Sequence, residues 1–294
     1  MMKRTGYLIV LSLITIVCVV LGSIKHFGGI KLGMPFALFG GGEKIGTIVV
    51  KGDDGSVSGN TISLDEFNEM KIDLNVMDLT IETGDEACIH YECNKKNLVP
   101  SIDVEDGKLI IKQPKMKNIF NIGRVKCKMT ITVPKDKDMK DVVITTDTGD
   151  VKIADLTGES LSLDTDTGDI KLNKCDFASS KIDGDTGDMK YESCNLGDCE
   201  ISNDTGDVSL INSDFAGESG SLNIDNDTGD VRIEGCRDLG LFVTDLSTDI
   251  GDIEVNGTNC KKKYSQEAVS SSQSEKNPKI VISTDVGDIR VNQK

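Results

Sequence analysis

The sequence predicts an all-β protein, a parallel β-solenoid of about seven coils with a less regular N-terminal β cap and one transmembrane helix in front of it. The main observation is a repeat, Asp-x-Gly-Asp flanked by apolar residues, which occurs seven times after residue 141. Its glycines are 19, 19, 19, 23, 22 and 36 residues apart, and a period near 20 is typical of stacked β-coils. The second observation is composition: the chain has no Trp and 4% aromatic residues, and Ile, Val and Leu suit thin stacked layers. The repeat glycines are Gly149, Gly168, Gly187, Gly206, Gly229, Gly251 and Gly287.

Residues 1–24 are predicted to be a cytoplasmic stub and a membrane anchor. Residues 6–24 carry no charge and are just long enough to cross a bilayer as a helix. A cleaved signal peptide is the alternative, although it favours a shorter apolar stretch and a small-x-small exit site. Lipid attachment is disfavoured because Val17, not a small residue, precedes Cys18. Lys3 and Arg4 precede the run, so the positive-inside rule predicts a cytoplasmic N-terminus and an extracytoplasmic C-terminal domain.

Residues 25–46 and 47–140 connect this anchor to the repeats. The first segment is rich in Gly and is predicted to be a juxtamembrane linker, or alternatively a segment that lies in the membrane interface. The second is predicted to be the β cap, with strands at 70–74, 78–82, 109–111 and 129–133. Pro134 is expected to end the last of these because proline cannot donate to a ladder. A divergent module of this kind would cover an open end of the coil stack.

Residues 141–294 form the regular repeats, and aligning them on glycine gives three apolar columns that we predict to face inward. In a stack of coils, each column becomes a ladder with the spacing of neighbouring strands, about 4.8 Å. Burial of these ladders is expected to supply most of the stability of the fold. The columns lie five before glycine (Ile144, Leu163, Ile182, Ile201, Ile224, Leu246, Ile282), two after it (Val151, Ile170, Met189, Val208, Val231, Ile253, Ile289) and four after it (Ile153, Leu172, Tyr191, Leu210, Ile233, Val255, Val291).

Two aspartate columns are equally regular. Those two before glycine are interpreted as turn residues, since an Asp carboxylate can accept a backbone N–H two residues on and glycine supplies a positive φ. Stacked carboxylates repel one another, so Lys or Arg three after glycine is expected to form compensating ion pairs between coils. The columns are Asp147, Asp166, Asp185, Asp204, Asp227, Asp249 and Asp285 before glycine, Asp150, Asp169, Asp188, Asp207, Asp230, Asp252 and Asp288 after it, and the cations Lys152, Lys171, Lys190, Arg232 and Arg290.

Two chemical roles, a calcium site and a protease dyad, are alternatives to a structural role of the aspartates in turns. Carboxylate ladders favour calcium, but the nonapeptide of calcium-binding β-rolls is absent and neighbouring cations reduce the need for metal. Asp-Thr-Gly also matches aspartic proteases, in which two facing copies form the catalytic dyad. Here five copies follow the repeat spacing, which predicts a row. We therefore predict no catalytic, cofactor-binding or metal-ligating residue and no enzymatic activity, although β-helices that cleave polysaccharide leave that class open.

The cysteines favour packing over a disulfide framework. Cys175, Cys194 and Cys236 each lie seven after a repeat glycine, where the first coil has Leu156, so they are predicted to share one internal ladder as small apolar residues. Cys199 is expected to face inward as well. The sequence gives no pairing for the remaining cysteines of the domain, Cys88, Cys93, Cys127 and Cys260.

Two departures from regularity are candidate binding surfaces or simply solvated loops. One is a basic cluster around residues 119–122 in a chain of net charge −16. The other is a predicted loop insertion at 256–279, which contains Lys261, Lys262 and Lys263. The net charge also disfavours nucleic acid as a partner. The basic residues of the first surface are Lys112, Lys115, Lys117, Arg124, Lys126 and Lys128.

A family resemblance rests on a strand at 67–72, a Leu-Thr-Ile-Glu-Thr-Gly-Asp segment at 79–85, an Asp-Gly-Lys-Leu-Ile-Ile segment at 106–111, Ile-Thr-Val-Pro at 131–134 and the Gly-Asp repeats. Together these resemble the DUF4097 family of bacterial β-strand-repeat proteins, described as proposed adhesins. The resemblance covers residues 62–291 and implies no catalytic residues. It also implies membrane anchoring and a link to cell-envelope stress systems. The Asp-Thr-Gly-Asp regularity and the cysteine content depart from the usual family pattern.

The functional prediction is a non-enzymatic cell-envelope protein, single-pass in the cell membrane, that acts as an adhesin-like or structural binding surface. Its expected partners are the membrane, through the N-terminal helix, and an envelope protein or wall polymer whose identity the sequence leaves open. The alternative is an accessory or sensory component of an envelope-stress signalling system.

Overall fold

The computed structural model describes residues 57–116, 125–215, 220–268 and 278–293. Within these ranges the chain is all-β apart from two short 3-10 helices, Lys96–Leu98 and Leu239–Leu241. No helix in the described ranges is long and apolar enough to span a membrane. The predicted anchor at 1–24 and linker at 25–46 lie outside the described residues.

The strands follow one another closely along the chain. The N-terminal strands are β1 (Val57–Ser63), β2 (Glu69–Val76), β3 (Asp78–Gly84), β4 (Cys88–Cys93), β5 (Ser101–Glu105), β6 (Lys108–Lys112) and β7 (Cys127–Pro134). The repeats contribute β8 (Met139–Thr148), β9 (Val151–Ala154), β10 (Thr157–Thr167), β11 (Ile170–Asn173), β12 (Asp176–Thr186), β13 (Met189–Glu192), β14 (Asp198–Thr205), β15 (Val208–Ile211), β16 (Ser221–Thr228) and β17 (Val231–Cys236). The C-terminal strands are β18 (Val243–Ile250), β19 (Ile253–Val255), β20 (Thr258–Lys261), β21 (Lys263–Gln266), β22 (Lys279–Val286) and β23 (Ile289–Gln293).

The strands assemble into two large sheets, and most pairs are parallel. One sheet has twelve strands in the order β1-β4-β7-β3-β9-β11-β13-β15-β17-β23-β19-β20, and the other has eleven in the order β21-β18-β22-β16-β14-β12-β10-β8-β2-β6-β5. We call these the short-strand sheet and the long-strand sheet. Each repeat gives one strand to each sheet, with the repeat glycine at the corner between them. The result is a solenoid-like stack.

The core lies between the two sheets, and the three predicted apolar columns belong to it. Every member is buried, and Val255 is the most exposed at 6%. Parallel register aligns the columns, because Leu163 pairs with both Ile144 and Ile182. The inward direction predicted for these columns is therefore confirmed.

The stack begins earlier than the regular repeat does. β2 pairs with β8, and β3 with β9, both in parallel, so residues 69–84 already form a coil. β6 and β7 stack on the other side of that coil. The antiparallel strands β1, β4 and β5 then close this end. The four strands predicted in this region all lie within observed strands, and β7 ends at Pro134.

At the other end, stacking order differs from sequence order. β22 lies between β16 and β18, and β23 lies between β17 and β19. The last coil in sequence is therefore the penultimate coil in space, and Gly287 lies between Gly229 and Gly251. Part of the segment predicted as a loop insertion, 256–279, instead forms β20 and β21, which pair antiparallel at the two sheet edges. Their lysines disfavour further strand addition at these edges.

Candidate functional site

The repeat glycines form a row of close backbone contacts at one corner of the stack. Gly187 has φ of 148°, a conformation that side chains disfavour. A Cβ added there would lie 2.1 Å from the carbonyl oxygen of Gly168 on the neighbouring coil. The Gly187 N–H donates to the carbonyl oxygen of Thr205 on the other neighbour at 2.9 Å. Glycine therefore provides both the positive φ and the space that lets successive coils approach.

The aspartates that follow glycine tie neighbouring coils together, and we call them the trailing aspartates. The backbone N–H of Asp188 donates to the Asp169 carboxylate at 3.2 Å, and that of Asp207 donates to Asp188 at 3.0 Å. The same bond recurs along the stack from Asp78 to Asp252. The bond from the Asp188 N–H is the main cause of a lowered pKa at Asp169, and Lys171 lowers it further.

The aspartates that accept backbone hydrogen bonds at the corner are not the ones predicted to do so. The sequence assigned a local hydrogen bond to the aspartates two before glycine, which we call the leading aspartates. In the described coils, the carboxylates that accept backbone N–H groups at the corner belong to the trailing aspartates, and their donors lie on the next coil. Coils stack about 4.8 Å apart, so the backbone amide of one coil lies within reach of the carboxylate of its neighbour. The sequence pattern within a single coil does not contain this contact.

The lysine and arginine row pairs within coils, so the predicted ion pairs between coils at this row are wrong. Lys171 lies 3.2 Å from Asp169, and Arg290 lies 2.9 Å from Asp288, each on the same coil. Residues two apart on a strand project from one face, which allows the long cation to fold back on its neighbour. An ion pair between coils does occur on the long-strand sheet, where Lys181 lies 3.5 Å from Glu200.

The negative charges of the leading aspartates are balanced by fewer neighbouring cations. Partial burial is the largest cause of a raised pKa at Asp166, Asp185 and Asp204, and the carboxylates of neighbouring coils raise it further. Asp147 at the start of the row differs, because Asn75 donates to it and Lys115 lies 3.7 Å away. The middle of the row is therefore a line of partly buried carboxylates with repulsive neighbours.

The same row contains the Asp-Thr-Gly copies. In-register parallel pairing, such as Thr167 with Thr186, places successive copies beside one another along one corner rather than face to face across a cleft. An aspartic protease dyad requires facing copies. In the described ranges, no three His, Cys, Asp or Glu side chains are grouped closely enough to hold a metal ion.

Comparison with known proteins identifies the family. The Toastrack DUF4097 family model matches residues 67–292, which span all the described coils. The chain belongs to the Toastrack DUF4097 family. No curated protein matches the chain significantly.

Several solved structures are similar to this DUF4097 chain. A proposed cell adhesion protein from Clostridium sporogenes is 16% identical with a TM-score of 0.38, and the match covers 81% of this chain and 99% of that one. A proposed adhesin from Bacteroides fragilis is 17% identical with a TM-score of 0.42, covering 80% and 95%. A proposed lipid-binding protein from Parabacteroides distasonis is 15% identical with a TM-score of 0.31, covering 82% and 99%.

The described cysteines of this DUF4097 chain are a buried set, one disulfide pair and two partly exposed thiols, Cys88 and Cys260. Cys175, Cys194 and Cys236 are buried in one internal row with Leu156 and Ser213, and Cys199 is buried too, as predicted. Cys93 and Cys127 form a disulfide, a pairing that the sequence did not give. They face each other on the antiparallel strands β4 and β7, which are separated by a long connection, so only the strand pairing reveals them.

The basic cluster of this DUF4097 chain lies partly within the described residues. Lys117, Arg124 and residues 119–122 fall outside them. Lys126 and Lys128 line a groove of about 500 Å³ together with Met77 and Asp78. The Lys115 ammonium lies 3.7 Å from the Asp147 carboxylate in the leading row. The described lysines are therefore spread over two features of the N-terminal end.

Proposed function

We propose that this DUF4097 chain is a non-enzymatic cell-envelope protein that provides an adhesin-like or structural binding surface. The observation that supports this is the ordering of its outward side chains. In-register parallel pairing sets equivalent side chains in straight rows on a stack with a continuous core. Charged groups in such rows lie side by side rather than converging on one reacting atom, which favours binding of an extended partner over catalysis.

We propose a more specific architecture than two large sheets of mostly parallel strands. It is a continuous parallel β-solenoid, closed at each end by antiparallel strands and preceded by one transmembrane helix. The 19-residue uncharged run at 6–24 and the preceding Lys3 and Arg4 support a single-pass anchor with a cytoplasmic N-terminus. The Cys93–Cys127 disulfide supports an extracytoplasmic location for the stack, because disulfides persist in oxidising compartments.

The proposed partner is a wall polymer or another envelope protein. The test is affinity capture with the full chain in detergent, immobilised and exposed separately to purified wall polymers and to solubilised envelope proteins. Saturable binding to polymer or to a surface protein of another cell supports the adhesin-like function. Capture of a signalling membrane protein instead supports the envelope-stress alternative. Absence of saturable binding in both samples contradicts the proposed function.

Two matched variants test which side of the corner the partner binds. Asp185→Asn removes one charge from the leading row, and Asp188→Asn removes one charge from the trailing row three residues away. If the partner binds the long-strand side of the corner, the first variant weakens capture more than the second. Unchanged capture by both variants would place binding elsewhere on the stack.

A further inference from the structure

Two buried thiols lie next to each other on neighbouring coils. Cys175 and Cys194 occupy equivalent positions, seven after their repeat glycines, and each is 1% exposed. The backbone is in register at this point, because Asn195 N–H donates to the Cys175 carbonyl oxygen at 2.8 Å and Asp176 bridges to Asn195. Each thiol is also the largest influence on the pKa of the other. Their sulfurs are therefore adjacent inside the stack.

The backbone geometry suits a disulfide. Neighbouring strands lie about 4.7–4.9 Å apart, and disulfides form across Cα separations of about 4.4–6.8 Å. In-register parallel strands point equivalent side chains in one direction, so closing the bond requires only that the two Cβ atoms approach from the strand spacing to about 3.5–4.5 Å. Leu156 and Ser213 flank the pair in the row, which limits bonding within this row to Cys175 and Cys194.

We propose that Cys175 and Cys194 are a redox-sensitive pair that closes into a disulfide between neighbouring coils by exchange with a disulfide-containing oxidant. The same chain already contains a disulfide between facing strands, Cys93 with Cys127. Use of the second pair in the cell rests on the extracytoplasmic location proposed above, whereas the reaction of the purified chain does not.

The exchange runs in two steps. The neighbouring Cys175 thiol lowers the pKa of Cys194, which favours Cys194 as the attacking thiolate. Its sulfur attacks one sulfur of the oxidant, forming a mixed disulfide and releasing one thiolate, which takes up a proton. Cys175 then loses its proton and attacks the Cys194 sulfur, releasing the second thiol of the oxidant. Two protein thiols are oxidised and one external disulfide is reduced.

The burial of both sulfurs sets the conditions of the test, because exchange requires the coils to separate. The full chain is unfolded in urea, refolded with oxidised or reduced glutathione, alkylated after denaturation and mapped by mass spectrometry. The expected result with oxidised glutathione is a peptide pair linked through Cys175 and Cys194, and a Tm that falls when dithiothreitol is added. The Tm comparison is made in the Cys93→Ala/Cys127→Ala background, so that reduction affects only the proposed pair.

Two variants separate this bond from general oxidation. Cys175→Ala should abolish the linked peptide, whereas Cys236→Ala, in the same row but beyond Ser213, should retain it. Alkylation of both Cys175 and Cys194 after refolding in oxidised glutathione overturns the proposal. A Cys194–Cys199 link in its place also overturns it. Neither result bears on partner capture, so failure of this proposal is distinct from failure of the proposed function.

Discussion

Replacing Gly187 with alanine tests whether backbone contact at the glycine corner holds the coils together. The φ of 148° lies in a region that is essentially confined to glycine and costs about 1–3 kcal/mol for other residues. The added Cβ would meet the Gly168 carbonyl oxygen at 2.1 Å, so that carbonyl has to move. The shift weakens the hydrogen bonds of the corner, each of which contributes about 1 kcal/mol. The expected loss is about 3–5 kcal/mol.

The measurement is urea and thermal unfolding of Gly187→Ala beside Gly257→Ala. Gly257 also has a positive φ, 75°, but no heavy atom lies within 4 Å of an added Cβ there, so the control isolates the conformational cost, about 1–2 kcal/mol. For a domain of this size, the corner variant should lower Tm on the order of 10 °C. Equal destabilisation by the two variants would refute the claim that close approach of the coils requires glycine.

Three further predictions address the core, the leading row and the disulfide. Ile201→Asp places a carboxylate at a site that is 1% exposed and should cost about 4 kcal/mol or more in urea unfolding. Ser209→Asp, on an outward row between Lys190 and Arg232, should cost less than about 1 kcal/mol, and similar losses would contradict the register. Asp185→Asn should raise Tm at pH 7. Partial burial and neighbouring carboxylates raise the pKa of Asp185 in the folded state, so its ionisation destabilises the fold as pH rises. The gain in Tm should therefore shrink as pH falls to 3.8, the ordinary pKa of an Asp side chain. A gain that persists below pH 3.8 would argue against ionisation of the partly buried Asp185 carboxyl as its cause. Cys93→Ala combined with Cys127→Ala opens a loop with a sequence separation of 34 and should lower stability by about 3–4 kcal/mol, an effect that dithiothreitol should reproduce in the native chain; a Tm of the native chain that dithiothreitol leaves unchanged would contradict it.

The inward columns were predictable because their signal is local and repeated. An apolar residue such as Ile182 recurs at a fixed distance from glycine, and a two-residue period defines its face. Repetition within one chain therefore specifies both the corner and the direction of each neighbouring side chain. The buried cysteine row followed from the same alignment.

The stacking order was not predictable in this way. Coils with similar inward residues fit one another almost equally well, so the local pattern does not determine that Gly287 lies on Gly229. Strand pairing between distant segments determines that order, as it determines the Cys93–Cys127 bond. The roles of Asp169 and Asp188 were also missed, since their hydrogen bond connects two coils.

The position of the final coil affects how the chain reaches its native state. β22 and β23 contain residues 279–293 and lie between coils that precede them in sequence. The coil of β18 and β19 pairs with the edge strands β21 and β20, but it has no neighbouring coil until β22 and β23 are available. Folding that starts at the N-terminal coils can proceed through β17, but the coil of β18 and β19 can join the stack only together with β22 and β23. During refolding from urea, the strands up to β17 should therefore become resistant to protease first, and β18 and β19 only when β22 and β23 do.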